Sequence, residues 1–303
     1  MLQITQLSKW FGEQQVVQNL SFDIFPGEVF GLLGPNGAGK TTTINLICGL
    51  LQSDQGQLKL AGDPINERSK SLIGIAPQQN LLYGSLTCQE NLDFFARIYG
   101  LSPQQRKQQV RQALAAVNLS ERRHTLASQL SGGMQRRLNV AIALVHEPKL
   151  VILDEPTTGL DIDARYEIWA LIHSLQKKGT AVLLTTHLLD EAERLCQRIG
   201  ILQLGQLVAQ GSLDELRTAI PAAAIALLET TDEPKILAKA ACLGWTCRRY
   251  REKLALWLPQ LFSLSQVVAL LGDLPVSALS ISPVTLEYLY LEITQSLQTI
   301  PPR

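Results

Sequence analysis

Residues Gly34-Pro35-Asn36-Gly37-Ala38-Gly39-Lys40-Thr41 satisfy G-x-x-x-x-G-K-[ST] at every fixed position. Glycines at these places let the backbone curl with its N–H groups inward and let phosphates approach closely. The free N–H groups and dipole of a helix start favour the same anion. Lys40 can reach β- and γ-phosphates, and the Thr41 hydroxyl can ligate Mg²⁺. A second constellation is Lys149–Glu155 (KLVILDE), an apolar strand ending in two carboxylates. Asp154 suits the hydration shell of Mg²⁺, and Glu155 suits a general base that polarises an attacking water. A third is Leu130-Ser131-Gly132-Gly133-Met134-Gln135, a hydroxyl and two glycines opening a helix that should run to about His146. One chain thus has two phosphate-binding helix starts, far apart in sequence.

These residues need elements to hold them. Glu28–Leu33 reads as a buried strand entering the phosphate loop, and Lys40–Leu51 as the helix leaving it. Leu2–Leu7 and Leu20–Ile24 read as strands before it, with a turn at Pro26-Gly27. Gly56–Leu60 and Leu72–Ala76 read as strands after it. A helix-rich insertion follows over about 87–146, opened by the capping box Thr87–Glu90 and containing a second helix from Pro103 to Val117. Strand Leu150–Leu153, helix Asp163–Lys178, strand Ala181–Thr185, helix Leu188–Leu195 and strands Ile199–Leu204 and Leu207–Gln210 complete an α/β unit over 1–215. A smaller α+β domain should occupy 216–303. Its segments Ile225–Glu229, Lys235–Leu243, Thr246–Arg251, Leu254–Leu258, Leu264–Leu271 and Ala278–Ile281 follow a βαββαβ, ferredoxin-like order, and a helix Thr285–Leu297 ends it.

Bulk properties exclude some classes. The 303 residues carry 27 Lys plus Arg and 27 Asp plus Glu, a formal net charge of zero, so binding to nucleic acid through phosphate neutralisation is not expected. Basic runs at Arg122-Arg123, Arg136-Arg137 and Cys247–Arg251 read as solvated faces. Five scattered cysteines form no C-x-x-C and no metal-ligand spacing, which suits free thiols in a reducing cytosol. The N-terminus starts with strand-like alternation, so no signal peptide is expected. No apolar run approaches the ~20 residues that span a bilayer, and a membrane-spanning part would belong to another chain.

Taken in order, the motifs resemble those of the ATP-binding cassette (ABC) ATPases over about residues 2–215. Gly34–Thr41 resembles their Walker A, Leu130–Gln135 their signature and Leu150–Glu155 their Walker B. Thr158-Gly159-Leu160-Asp161 resembles the D-loop, Gln78 the Q-loop glutamine and His187 the switch histidine. The resemblance implies an α/β P-loop fold with a mixed sheet core, an antiparallel β subdomain and the helical insertion. It implies ATP and Mg²⁺ as ligands. Nucleotide would be held by Phe11, Gly34, Pro35, Asn36, Gly37, Ala38, Gly39, Lys40, Thr41 and Thr42. Ser131, Gly132, Gly133 and Asp161 would act across a head-to-tail dimer. The metal would be held by Thr41, Gln78 and Asp154, and catalysis would rest on Glu155, His187, Lys40 and Gln78. The adenine platform would be Phe11, where the family usually has tyrosine; Trp10 is the alternative.

The resemblance extends to class. Asn80–Tyr83 and Asn91–Gly100 resemble cassettes of drug, lipid and polymer exporters, in which a groove near the Q-loop receives a helix of the membrane partner; Leu82 or Tyr83 could line it. Phe94 and Phe95 read as core of the insertion. Leu286–Thr294 resembles the closing helix of those cassettes, with Leu286, Leu289, Ile293 and Leu297 on one face. The implied partners are an integral membrane permease in a separate chain and a second cassette, a homodimer or a close relative, at the cytoplasmic side of the cell membrane. A non-transport ABC ATPase is the competing class. It would bring tandem cassettes, long coiled-coil arms, zinc cysteines or strong basic charge, and none is in this chain.

Overall fold

The computed structural model describes residues 1–250 and 253–295. They form two compact units, Met1–Ser212 and a second that begins at Leu213.

The first unit starts with a long hairpin, β1 (Leu2–Phe11) and β2 (Gln14–Ile24), longer than the sequence suggests because its outer residues are polar. Gly12, at φ 60°, makes its two-residue turn. Strand β3 (Val29–Leu33) is buried throughout and feeds α1 (Lys40–Ile47). That helix stops before the expected Leu51 because Gly49 takes the left-handed conformation that ends helices. β4 (Gln55–Leu60), β5 (Asp63–Pro64), the one-turn α2 (Glu67–Lys70) and β6 (Ile73–Ala76) follow. The insertion contains α3 (Cys88–Ile98), α4 (Pro103–Ala116) and α5 (Gly132–Leu144). Thr87 and Ser102 cap the first two through reciprocal boxes with Glu90 and Gln105. β7 (Leu150–Asp154), α6 (Ile162–Lys177), β8 (Ala181–Thr186), α7 (Leu189–Leu195), β9 (Arg198–Gln203) and β10 (Gln206–Gly211) complete the unit.

Two sheets result. The antiparallel one has the order β2-β1-β4-β5, and the six-stranded one β10-β9-β3-β8-β7-β6. All pairs of the latter are parallel except β10 with β9. Its central strands β3, β7 and β8 are buried on both faces and alternate between two cores. Val29, Val151, Leu153, Val182 and Leu184 pack towards the insertion and α6. Phe30, Leu32, Leu150, Ile152 and Leu183 pack towards β1, β2 and α1. Every parallel strand delivers its C-terminal end to one edge, where ligands bind in such sheets.

Two contacts fix the insertion to this sheet. Gly74 on β6 lies so close to α5 that a Cβ there would sit 1.9 Å from the Ala143 carbonyl oxygen. His146, just past α5, has Nε2 3.0 Å from the Ile73 carbonyl oxygen and its ring stacked on Tyr99, centroids 3.6 Å apart.

In the second unit α8 (Leu213–Arg217) precedes β11 (Ala224–Thr230), α9 (Glu233–Cys242), β12 (Thr246–Tyr250), β13 (Lys253–Leu258), α10 (Leu264–Leu271), β14 (Val276–Pro283) and α11 (Leu286–Gln295). The sheet order is β12-β13-β11-β14 with every neighbour antiparallel. Ala226, Leu228, Leu254 and Leu256 pack with Ile236, Ala240, Val267 and Leu271 of α9 and α10. Leu286 and Leu289 of α11 are fully buried. Leu297 of the expected apolar face and Arg251 of the expected strand and basic run lie outside the described residues.

Burial lowers the His146 pKa to about 4 from an ordinary 6.5. Between these values the unfolded chain binds the extra proton, so stability is lost as pH falls below about 6.5. At about pH 5 the loss from this group should be about 2 kcal/mol. His146→Phe keeps a stacking ring without the titration, and its urea midpoint should fall less than the wild type's between neutral pH and pH 5. Equal falls would remove His146 as the cause.

Candidate functional site

The phosphate loop joins β3 to α1, as its motif requires. Its glycines answer separate needs. A Cβ on Gly34 would lie 2.4 Å from the Leu202 carbonyl oxygen. Gly39 combines φ 105° with a position where a Cβ would come 2.9 Å from the Val16 carbonyl oxygen. Lys40 is 6% exposed, and its ammonium donates to the carbonyls of Gly34 (2.7 Å) and Pro35 (3.1 Å). Burial lowers its pKa, opposed by the carboxylates of Glu155 and Asp154. Beside the loop lies a cavity of about 170 Å³. Asn36, Gly37, Gly39, Lys40, Thr41, Thr42, Gln78, Asp154 and Glu155 line it, together with Val16 of β2.

The end of β7 meets the end of β8. Asp154 Oδ1 accepts a 2.5 Å hydrogen bond from the Thr185 hydroxyl. Glu155 follows in the left-handed backbone conformation, φ 47°, which costs a non-glycine residue about 1–3 kcal/mol. Its N–H donates to the Thr185 carbonyl (3.0 Å), with the Thr185 hydroxyl 3.2 Å away. Its carboxylate, 7% exposed, is the meeting point of the site. Oε2 accepts from Gln78 Nε2 (3.1 Å) and the Thr158 hydroxyl (3.3 Å). Oε1 lies 3.2 Å from His187 Nδ1 and 3.9 Å from Lys40 Nζ. Lys40, Gln78, Asp154, Glu155 and His187, scattered over almost 150 positions of sequence, therefore converge.

Other expected residues stand apart from this cavity. Ser131 is the N-cap of α5, its hydroxyl accepting from the Met134 N–H at 3.3 Å. Gly132 has open space around it, whereas a Cβ on Gly133 would meet Ala164 of α6 at 2.9 Å. Asp161 caps α6 by accepting from the Ala164 N–H at 2.8 Å. Phe11 is about half exposed at the end of β1, with Lys9 over its ring; Trp10 beside it is half-buried. Gly34, Pro35 and Ala38 form the loop itself.

Two expectations fail. Arg136 and Arg137 are not a solvated face: they are 5% and 8% exposed, because α5 is packed on nearly all sides. Phe94 is not core. It is 37% exposed and makes an edge contact with Tyr83, while Phe95 is the ring turned into the insertion. Phe94, Tyr83, Leu81 and Ile98 form an exposed apolar surface. Asn91, fully buried, shapes it by donating to the carbonyls of Tyr83, Leu86 and Thr87 and accepting from the Tyr83 N–H.

Sequence reasoning also missed supporting residues. Thr185 serves both carboxylate positions. Glu191, fully buried, accepts from the Thr157 hydroxyl (2.7 Å) and Trp169 Nε1 (3.1 Å), tying α7 to the segment after β7. A glutamate four residues after His187 is the faint signal that could have found it. Arg136 donates to backbone carbonyls at Pro77, Gln78, Asp154 and Pro156. Only its burial marks it.

A family model described as ABC transporter matches residues 17–158. The Nod factor export ATP-binding protein I of Paraburkholderia xenovorans (strain LB400) is 44% identical over 214 residues, 70% of this chain and 70% of that protein. The chain belongs to the ABC transporter family. The linearmycin resistance ATP-binding protein LnrL of Bacillus subtilis (strain 168) resembles the cassette at 42% identity over 219 residues, 71% of this chain and 70% of that protein. A solved ATP binding subunit of an ABC transporter matches the cassette with TM-score 0.66 at 32% identity, covering 72% of this chain and 92% of the other. A dimeric cassette in a post-hydrolysis state, bound to ADP and Pi, matches with TM-score 0.64 at 26% identity, covering 70% and 99%. The cassette has the α/β P-loop fold of this family and is an ATP-binding, ATP-hydrolysing subunit of an ABC transporter. Such subunits work with membrane permeases and dimerise. Among the described residues no helix is long and apolar enough to cross a membrane.

Thr185→Val keeps the shape of the side chain and removes the hydroxyl that Asp154 and Glu155 share. Stability should fall by about 1–3 kcal/mol in urea unfolding, because a buried carboxylate loses a donor. ATP turnover should fall with it. Wild-type values for both would show that the strand ends hold without this bond.

Proposed function

We propose that this cassette drives an exporter as one half of a head-to-tail pair, on the cytoplasmic side of a membrane and beneath a permease carried on a separate chain. Lys40, Gln78, Asp154 and Glu155 line one cavity beside the phosphate loop, His187 lies against Glu155, and the Ser131 turn is outside that cavity; this arrangement carries the proposal. A second anion-binding helix start has no use in its own chain's site. It fits the nucleotide of a companion chain, and a symmetric pair satisfies both sites at once.

The cavity is rich in oxygen donors. The Thr41 hydroxyl, the Gln78 side chain and the Asp154 carboxylate line it together. This set fits Mg²⁺, which keeps few protein ligands and fills its shell with water and phosphate oxygens. When bound, the ion would neutralise charge on the β- and γ-phosphates. Lys40 and the loop N–H groups hold the phosphates, and Phe11 offers its exposed ring to adenine. Water attacks the γ-phosphorus, the bond to the β,γ-bridging oxygen breaks, and ADP and phosphate form. Glu155 takes the proton from the attacking water. Gln78 and Thr158 orient that carboxylate, and His187 beside it contacts the γ-phosphate. Ser131, Gly132, Gly133 and Asp161 act on the companion's nucleotide from across the interface.

Export is supported by what the relatives are called, one a Nod factor export protein and one a linearmycin resistance protein. The apolar surface of Leu81, Tyr83, Phe94 and Ile98 suits an apolar helix of the permease. Residues 1–215 form the motor and 216–303 an accessory α+β domain in this proposal.

Glu155→Gln should bind ATP, lose about 10²–10⁴ in turnover and accumulate as an ATP-bound dimer in size-exclusion chromatography. Wild-type turnover would reject Glu155 as the base. A mixture of Ser131→Arg chains with Lys40→Ala chains should regain ATPase activity, since each mixed pair holds one intact composite site. Heterodimers that form and stay inactive would reject the head-to-tail arrangement.

A further inference from the structure

The face of α5 that meets the catalytic loops carries Arg136 and Asn139, three residues apart. Arg136 is buried, yet no carboxylate of the described residues pairs with it. Its guanidinium is used on backbone instead. Nε donates to the Pro156 carbonyl (3.0 Å) and Nη2 to the Asp154 carbonyl (2.6 Å). Nη1 donates to the carbonyls of Pro77 (2.5 Å) and Gln78 (3.2 Å). Asn139 holds the same loop further along, donating to the Pro77 carbonyl (3.2 Å) and accepting from the Leu81 N–H (3.2 Å). Burial opposes the charge of Arg136, and the carboxylates of Asp154, Glu191 and Glu155 offset this. A planar fork with five donors can serve two chain segments at once; an ammonium is a single point and cannot span them.

The two segments so joined are the ones that matter for hydrolysis. One carries Gln78 and the other carries Asp154 and Glu155, and Gln78 then donates to the Glu155 carboxylate. The helix that joins them starts at Ser131. We propose that Arg136 is a positioning residue for the catalytic centre of its own chain, although the first turn of its helix serves the companion's nucleotide. Arg136 thereby holds the backbone that carries Gln78 and Glu155 within its own chain. This rests on the head-to-tail arrangement proposed above.

The mixed-pair experiment tests it with the full chain. The Ser131→Arg chain supplies the working Lys40 and Glu155, and the Lys40→Ala chain supplies the working signature turn. Arg136→Lys placed in the first chain should lower the regained turnover by about 10²-fold, the usual cost of slightly misplaced groups. The affinity of that chain for a fluorescent ATP analogue should stay within about threefold, so the effect falls on kcat and not on KM. Placed in the second chain, the same substitution should cost at least tenfold less. Should Arg136→Lys fail to fold, Asn139→Ala releases the Leu81 N–H and one of the two donors to the Pro77 carbonyl, leaves Arg136 in place, and should show the same asymmetry at about tenfold. Equal losses in both placements, or none in either, would overturn the assignment of Arg136 while the parent mixture is active. An inactive parent mixture with heterodimers present would instead overturn the arrangement on which it rests.

Discussion

A carboxyl group has to be held at the buried end of a strand, within reach of an ammonium, an imidazole and a primary amide. That constraint at Glu155 organises the first unit. The left-handed backbone at this residue turns the chain sharply after β7 and is unfavourable in isolation. Two contacts from Thr185 to the Glu155 N–H and two donors to its carboxylate hold it there. The turn depends on β7 and β8 running side by side in register, Asp154 opposite Thr185. It depends equally on β6 lying on the other flank, since Gln78 is reached two residues past that strand.

Charge burial follows from the same arrangement. Lys40, Arg136, Asp154, Glu155 and Glu191 are all withdrawn from solvent. Alone, each would be costly; together they compensate through short distances and backbone contacts. Glu191 grips the Thr157 hydroxyl from one side while Arg136 grips the carbonyls of Asp154 and Pro156 from the other. The segment from Asp154 to Thr157 is thus clamped between Glu191 and Arg136. Loss of one member would leave the other uncompensated, which is why such sites fail as units.

The chemistry was legible because it needs fixed residue types. Glycines at 34 and 39, a lysine at 40 and paired acids at 154 and 155 have few substitutes, so their spacing is readable without coordinates. The alternation of two cores along β7 and β8 was also legible, as continuous apolar runs. The supporting groups were not. Arg136 and Arg137 read as surface because two adjacent arginines in a polar helix start give no sign of burial, and only the packing of α5 decides it. Phe94 and Phe95 are identical in type, and the rotation of α3 alone puts one ring outside and one within. Thr185 is a β-branched residue in a β-strand, ordinary by composition, and its hydroxyl matters only because β7 is its neighbour. Sequence patterns report which groups a reaction requires; they say little about which backbone atoms must be held for it.

Gly74 has a mechanical consequence. At Gly74 there is no room for even a methyl group between β6 and α5, so backbone packs directly on backbone there. The contact falls near the last turn of α5, where the helical insertion returns to the sheet. A substitution as small as alanine at 74 would wedge β6 and α5 apart where the insertion meets the sheet.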